Sequence, residues 1–399
     1  MNNEISIKED RTGNKVDYVI ILYVLILGII SIASIYVAVE HDSSSTNLTS
    51  AILSQLIWYF LGFVFAFIIM HFDSQQLWSL AIYAYGVGIL LLILVLFFYS
   101  RSYSINTGAK SWFAIGPLSF QPSEVMKPAY ILMLAKVVSK HNYNYMLRTT
   151  KTDWLLLGKV TLLTLPILLL LKLQHDLGTS LVFMAIFIGV VFVSGITWKI
   201  VLPFALIGGS IGTTFLALAV KSPTVLKALG FSTYQFQRIT SWLSNSDTNS
   251  NAAYQQLQSI KAIGSGQIWG KGFNVSNVYV PVRESDFIFS VIGENFGFVG
   301  SALLILIYFF LIYRMIQTVF ETKNIFYAYI AIGIIMMLLF HIFENIGANT
   351  KLLPLTGIPL PFISQGGSAL LSNMIGIGLI LSMRFHYKNY MFAGKSDFK

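Results

Sequence analysis

The sequence predicts an all-α integral membrane protein with about ten transmembrane helices. Three observations carry that reading: 55% of the 399 residues are apolar, only 11% are charged, and the apolar residues fall in blocks of membrane-spanning length. A soluble domain carries about 25% charged residues, so this chain has too few to cover a water-facing surface. Crossing the hydrocarbon core takes roughly 20 mostly apolar residues in a helix. Blocks of that kind lie at 18–39, 51–71, 77–99, 122–139, 154–171, 179–197, 199–220, 287–313, 324–347 and 361–383. Inside a span every backbone group needs an internal partner, which a helix supplies. A transmembrane barrel would instead alternate apolar and polar residues.

The first block follows Lys8, Arg11 and Lys15 and has no small-residue cleavage site, so it reads as a retained span. Basic residues set the orientation. With the N-terminus inside, the inner ends hold Lys136, Lys140, Arg148, Lys151, Lys159, Lys199, Arg314, Lys323, Arg384, Lys388, Lys395 and Lys399. The short outer segments hold only Arg101, Lys110, Lys127, Lys172 and Lys351. That bias predicts both termini in the cytoplasm of a cell-membrane protein. The chain has no cysteine, which excludes disulfides, thiolate metal sites and cysteine nucleophiles.

A single polytopic domain, 1–399, is expected, with one large outer loop at 221–286. Within that loop Asn245 to Asn251 form a polar tract suited to a turn. Val225, Leu226 and Leu229, then Tyr254, Leu257 and Ile260, recur at helical spacing. They fit short amphipathic helices, lying on the outer leaflet or packed on the bundle. Gly264, Gly266, Gly270, Lys271 and Gly272 invite a phosphate-loop reading that fails, because Ser265 stands where glycine is needed and Gly272 where serine or threonine is needed. Those glycines are expected to allow tight turns near the membrane surface. No nucleic-acid partner is expected.

Charges at or inside a membrane face are costly, which makes each a functional candidate. Glu124 and Lys127 lie three residues apart at the start of the fourth span, after Pro122. Spacing alone fits a structural ion pair as well as a site. Asp176, in Gln174-His175-Asp176-Leu177-Gly178-Thr179, can cap the sixth helix or meet a cation or a substrate hydroxyl. Asp286, before the apolar run FIFSVIGENFGFVGS, is either an N-cap or a general base. Arg238, Lys261, Lys271 and Arg283 give the same loop a basic character that suits an anionic lipid head group. Deeper in, Glu294 lies two turns below Asp286, and His341, Glu344 and Asn345 share the outer half of the ninth span, where His341 and Glu344 can relay protons or lock helices together. The run LPLTGIPLP from Leu353 to Pro361 must be non-helical, and Ser364-Gln365-Gly366-Gly367-Ser368 continues it. Broken backbone at membrane depth is tolerated where it lines a cavity, so a re-entrant wall beside Asp286 is expected.

Five of these stretches, in order, resemble the SEDS family, which includes RodA, FtsW and SpoVE. They are NTGAKSWFAIGPLSFQPSE, QHDLGTSLV, YQQLQSIKAIGSGQIWGKG, SDFIFSVIGENFGFVG and LPLTGIPLPFISQGGS. The resemblance implies a peptidoglycan glycosyltransferase that polymerises lipid II, an undecaprenyl-diphosphate-linked substrate, on the outer face of the membrane. It implies ten spans and a class B penicillin-binding protein as transpeptidase partner, with other elongation-complex membrane proteins nearby. The family's essential aspartate falls on Asp286, and its other functional positions on Glu124, Lys127 and Asp176, with Lys110 in a place usually held by arginine. Lys110, Lys127, Lys271 and Arg283 are candidates to bind the anionic substrate. A magnesium or manganese ion is a further candidate for that charge, although no ligand cluster in the sequence forces one.

Departures exist: His175 stands for the usual proline, Gln365 for tyrosine, and Val282, Glu284 and Ser285 for glutamate, histidine and threonine. The wording VRESDF and HIFENIGA is most similar to RodA of streptococci and enterococci, which implies elongation rather than division. Two rivals use the same residues differently. A lipid II flippase would share the basic cavity, but the unusual charges gather at one face rather than along a path. A non-catalytic scaffold would make no use of Asp286.

Overall fold

The structure, a computed structural model, describes residues 15–42, 47–115, 118–222, 224–225, 238–240, 242–243 and 251–386. The terminal cations Lys8, Arg11, Lys388, Lys395 and Lys399, with Gly116, Leu226, Leu229 and the polar tract 245–250, lie outside the described residues. The elements in chain order are α1 (Tyr18–Glu40), α2 (Leu48–Met70), α3 (Ser74–Phe98), α4 (Arg101–Thr107), β1 (Phe113–Ile115) and β2 (Leu118–Phe120). They continue with α5 (Pro122–Asn144), α6 (Thr150–Leu173), α7 (Leu177–Val193), α8 (Trp198–Lys221), α9 (Asn251–Ser265), α10 (Ile288–Thr322), α11 (Ile325–Asn349) and α12 (Gly367–Phe385).

Among the described residues eight helices (α1, α2, α3, α6, α8, α10, α11 and α12) are long and apolar enough to cross a membrane. The protein is a multi-pass, all-α membrane protein. The predicted fourth and sixth spans are the two outside that set. α7 has only 17 residues. α5 carries Glu124, Lys127, Lys136 and Lys140, and it is enclosed by α3, α6, α7, α11 and α12 rather than by lipid. Charge is tolerable there because Glu124 and Lys127 pair with each other, Lys136 donates to Trp78 O, and Lys140 is exposed at the end of the helix.

Several boundaries differ from the sequence reading. The tenth span begins at Gly367, not 361, because the chain leaves helical geometry at Phe362, which sits at φ 61°. The sixth ends at Val193, where Gly195 turns left-handed at φ 84°. Phe113 and Phe120 pair across a small antiparallel hairpin that hydropathy did not signal.

The glycines of the loop before α10 do more than turn. At Gly297 the helix breaks, with φ 64° and ψ −158°, a conformation open essentially only to glycine. The freed donors of Phe298 and Val299 reach Gln267 O at 2.9 Å and Ile268 O at 3.1 Å. In return, Lys271 N and Gly272 N donate to Glu294 O and Asn295 O at 3.0 and 3.1 Å. A Cβ on Gly266 or Gly270 would lie 2.0 or 2.1 Å from the backbone of α10. The glycine spacing therefore serves close approach of two backbones. α9 buries Gln256, Ser259 and Ala262, not the apolar set of Tyr254, Leu257 and Ile260. Its polar face is used because the carbonyls at the end of α11 need donors: Gln256 serves Ala348 O and Ser259 serves Asn349 O. At the opposite end of the bundle, buried Asp17 binds Arg314 and Arg384 at 2.9 and 2.6 Å, tying α1 to α10 and α12.

Candidate functional site

Asp286 does not cap α10. That position belongs to Phe287, and no side chain caps the helix. The bundle grips the Asp286 backbone instead. Asn345 and Asn349 each donate from Nδ2 to Asp286 O at 2.9 Å. Ser364 Oγ donates to Ser285 O at 2.6 Å, and Gln365 N to Glu284 O at 2.9 Å. Among the described residues the carboxylate has one long bond, from Ser285 Oγ at 3.3 Å, and Asp286 as a residue is half-buried. Burial pushes the Asp286 carboxyl above the usual range, while the Arg238 charge and the Ser285 hydroxyl pull it back. Glu284 is also pushed up, first by burial and then by Asp42 and Asp286.

The wall beside Asp286 is the non-helical run 351–366. Its carbonyls find donors on surrounding helices: Asn345 for Ile358 at 2.9 Å, Ser31 for Ile363 at 2.7 Å, Tyr308 for Pro361 and Tyr59 for Phe362. Those bonds are what let irregular backbone persist inside a bundle. Gly357, at φ 81°, lies against the site: a Cβ there would be 3.4 Å from Asp286 Oδ2 and 3.5 Å from Arg238 Nη1. The neighbouring Thr356 O would lie 3.0 Å from a Cβ on Gly178, at the start of α7. One short segment thus touches Asp286, Arg238 and the N-terminus of α7.

At that N-terminus Asp176 is a cap, accepting from Thr179 N at 3.0 Å and Thr179 Oγ1 at 2.9 Å. Its Oδ2 also accepts from Gln121 Nε2 at 2.8 Å, which joins the start of α7 to the start of α5. Lys110 donates its backbone N–H to Gln174 O at 2.8 Å and lays its ammonium 5.3 Å from the Tyr99 ring. Glu124 and Lys127 form a fully enclosed pair at 2.8 Å. Lys127 Nζ also reaches His341 Nε2 at 3.0 Å on α11. Glu344, one turn along α11, is buried against Thr356, and it interacts electrostatically with Asp286 and Arg238.

Comparison with known proteins places this geometry. The sequence profile of the FtsW/RodA/SpoVE family, described as "cell cycle protein", matches residues 15–389. The chain belongs to this family. It is 33% identical over 290 residues to stage V sporulation protein E of Bacillus subtilis, covering 72% of this chain and 74% of that protein. It is 33% identical over 289 residues to the peptidoglycan glycosyltransferase MrdB of Escherichia coli, covering 71% and 73%. Among solved structures, a chain from a peptidoglycan synthase complex that coordinates polymerization and crosslinking superposes with a TM-score of 0.73 at 26% identity, covering 95% of this chain and 99% of that one. The rod shape determining protein RodA of Thermus thermophilus superposes with a TM-score of 0.66 at 28% identity, covering 93% and 97%.

In this member of the FtsW/RodA/SpoVE family, two more of the sequence candidates, besides Lys127 and Asp176, are engaged in holding the fold. Lys271 Nζ pairs with Glu294 Oε1 at 2.8 Å, and Asn277 N donates to the same oxygen at 2.9 Å. Arg283 is buried, with Nε on Ala38 O at 2.9 Å at the end of α1 and Nη1 on Ser276 Oγ. Sequence reasoning placed Arg238 in a generally basic loop, not beside Asp286. Forty-eight residues separate the two, and no spacing rule connects them. The asparagines of α11 were legible only as polar residues in a span. Among the described residues no three of His, Cys, Asp and Glu gather as a metal site.

Proposed function

We propose that this chain is a peptidoglycan glycosyltransferase that polymerises lipid II into β-1,4-linked glycan on the outer face of the cytoplasmic membrane, with Asp286 as general base. The observation that carries the reading is Asp286 itself. It is a carboxylate with raised proton affinity, held by its backbone and not engaged as a cap. A general base needs that combination: a fixed position, a free face and a proton affinity nearer neutrality. The relatives named as peptidoglycan glycosyltransferases support the reaction class.

In the proposed reaction Asp286 takes the proton of the C4 hydroxyl on the acceptor's N-acetylglucosamine. The freed oxygen attacks the anomeric carbon of the donor's N-acetylmuramic acid, and undecaprenyl diphosphate leaves with inversion. Cationic groups stabilise the departing charge. Arg238, which acts electrostatically on Asp286, is a candidate for this task, with Lys110 on the α7 side; Lys127, Lys271 and Arg283 bind Glu124, Glu294 and Ala38 O. A magnesium or manganese ion bound mainly by substrate phosphates needs no dedicated protein cage. Glu124, Lys127 and Asp176 then shape the site from α5 and α7. The similarity to a chain of a synthase complex supports a class B penicillin-binding protein as partner. Similarity to a rod shape determining protein, RodA, supports a role in cell shape and with it in elongation.

The test is polymerisation of purified lipid II by the reconstituted protein with its partner, comparing wild type with Asp286→Asn. Glycan chains from wild type and none from the folded variant uphold the reading. Normal polymerisation by the variant removes Asp286 from the chemistry. An inert wild type that moves lipid II between leaflets transfers the assignment to a flippase.

A further inference from the structure

The ammonium of Lys127 has three hydrogens and no capacity to accept. Two meet Glu124 Oε1 and Oε2, each at 2.8 Å, and the third meets His341 Nε2 at 3.0 Å. Nε2 must therefore be the accepting nitrogen of the ring. The proton then sits on Nδ1, which donates to Met337 O at 2.6 Å. This bond, made within α11, fixes both the tautomer and the direction of the ring. All three side chains are buried, at 4%, 1% and 2% exposure for Glu124, Lys127 and His341, so no water replaces a lost contact cheaply.

His341 also has a place on a ruler. Residues 341, 345 and 349 are spaced by four and share one face of α11. The first holds the α5 ion pair, and the other two hold the carbonyl of Asp286. At 1.5 Å per residue the gripping groups are about 6 and 12 Å apart along the helix. The position of α5 relative to Asp286 is thereby set through a single rigid element.

We propose that His341 is a positioning residue of the polymerising site, which takes the third hydrogen of Lys127 and so registers the α5 ion pair against the helix that holds Asp286. The inference rests on the polymerase reading above. His341 touches neither substrate nor reacting atoms in this account. It acts through Lys127.

The experiment compares His341→Leu with His341→Gln in the full-length protein reconstituted with its partner, measuring kcat and KM for lipid II and the thermal stability of each variant. Leucine keeps volume but removes the acceptor. Glutamine offers an oxygen to Lys127. The expected result is a kcat lowered about tenfold or more in His341→Leu, the size of one lost charge-assisted hydrogen bond, with KM nearly unchanged and recovery of most of the rate in His341→Gln. Nitrogen NMR of histidine-labelled protein gives a second readout independent of turnover: the His341 signal reports the Nδ1-protonated tautomer and shifts in Lys127→Met. A His341→Leu variant with wild-type kcat overturns the proposal. So does a loss of rate and stability together that glutamine does not relieve, or a ring signal indifferent to Lys127. An inert wild type would instead sink the polymerase reading, leaving the NMR result to judge the contact alone.

Discussion

Replacing Arg238 should move the pH dependence of the enzyme, not only its rate. Asp286 Oδ2 and Arg238 Nη1 lie 3.4 and 3.5 Å from one common point above Gly357, so they are no more than about 7 Å apart. At an effective dielectric of about 20, unit charges at that separation attract by ~2.4 kcal/mol. That corresponds to roughly 1.7 units of proton affinity. Asp286 is half-buried, so screening by solvent reduces the expected change to about one pH unit. The sign follows from the base role. In the proposed role Asp286 acts only when ionised, and its carboxyl is already raised by burial and held down by Arg238. Arg238→Gln lifts that restraint, so the acid limb of kcat/KM moves to higher pH by about one unit. The assay is lipid II polymerisation by the reconstituted protein and its partner across the acid limb, since kcat/KM reports the free enzyme. A limb that stays in place while the plateau falls would refute the electrostatic argument and leave Arg238 as a substrate contact only. The same shift has a consequence for folding. Because the native state holds the Asp286 proton more tightly than the unfolded chain does, this group's contribution to stability is present at acid pH and is lost as pH rises through the raised value.

Two further perturbations test the scaffold. Asn345→Leu removes a donor from Asp286 O and the donor of Ile358 O, and should destabilise the protein by about 2 kcal/mol. Thermal unfolding of the solubilised protein reads this, and an unchanged midpoint would show that the wall holds without Asn345. Gly297→Ala puts a Cβ 2.4 Å from Gly270 N at a backbone conformation alanine avoids, so little folded protein should be recovered on size-exclusion chromatography. Gly158→Ala, with no atom within 4 Å of the added carbon, is the matched control and should raise stability by up to about 1 kcal/mol.

Much of this site was readable from residue order. Asp176 beside Thr179 has the spacing of a cap, and the structure makes it one. Pro354, Pro359 and Pro361 announce broken backbone because proline cannot donate, and the run is non-helical. For Asp286 the local pattern left cap and base open. Only the grip of Asn345 and Asn349 on its carbonyl, with Phe287 in the cap position, decided against the cap. Lys271 and Arg283 look like substrate cations in the sequence because their acceptors are remote: Glu294 is 23 residues away, and Ala38 is 245.

The sequence by itself determined that the chain lives in a membrane, which stretches are apolar helices and which motifs mark its family. Those properties are local: burial of apolar side chains and the donor capacity of each backbone group are written residue by residue. What only the tertiary structure decided is which charge meets which. Lys127 finds His341, Arg238 comes beside Asp286, and the loop glycines close on α10 at Gly297. In a medium without water a buried polar group must find a protein partner, and the packing of helices far apart in sequence chooses it.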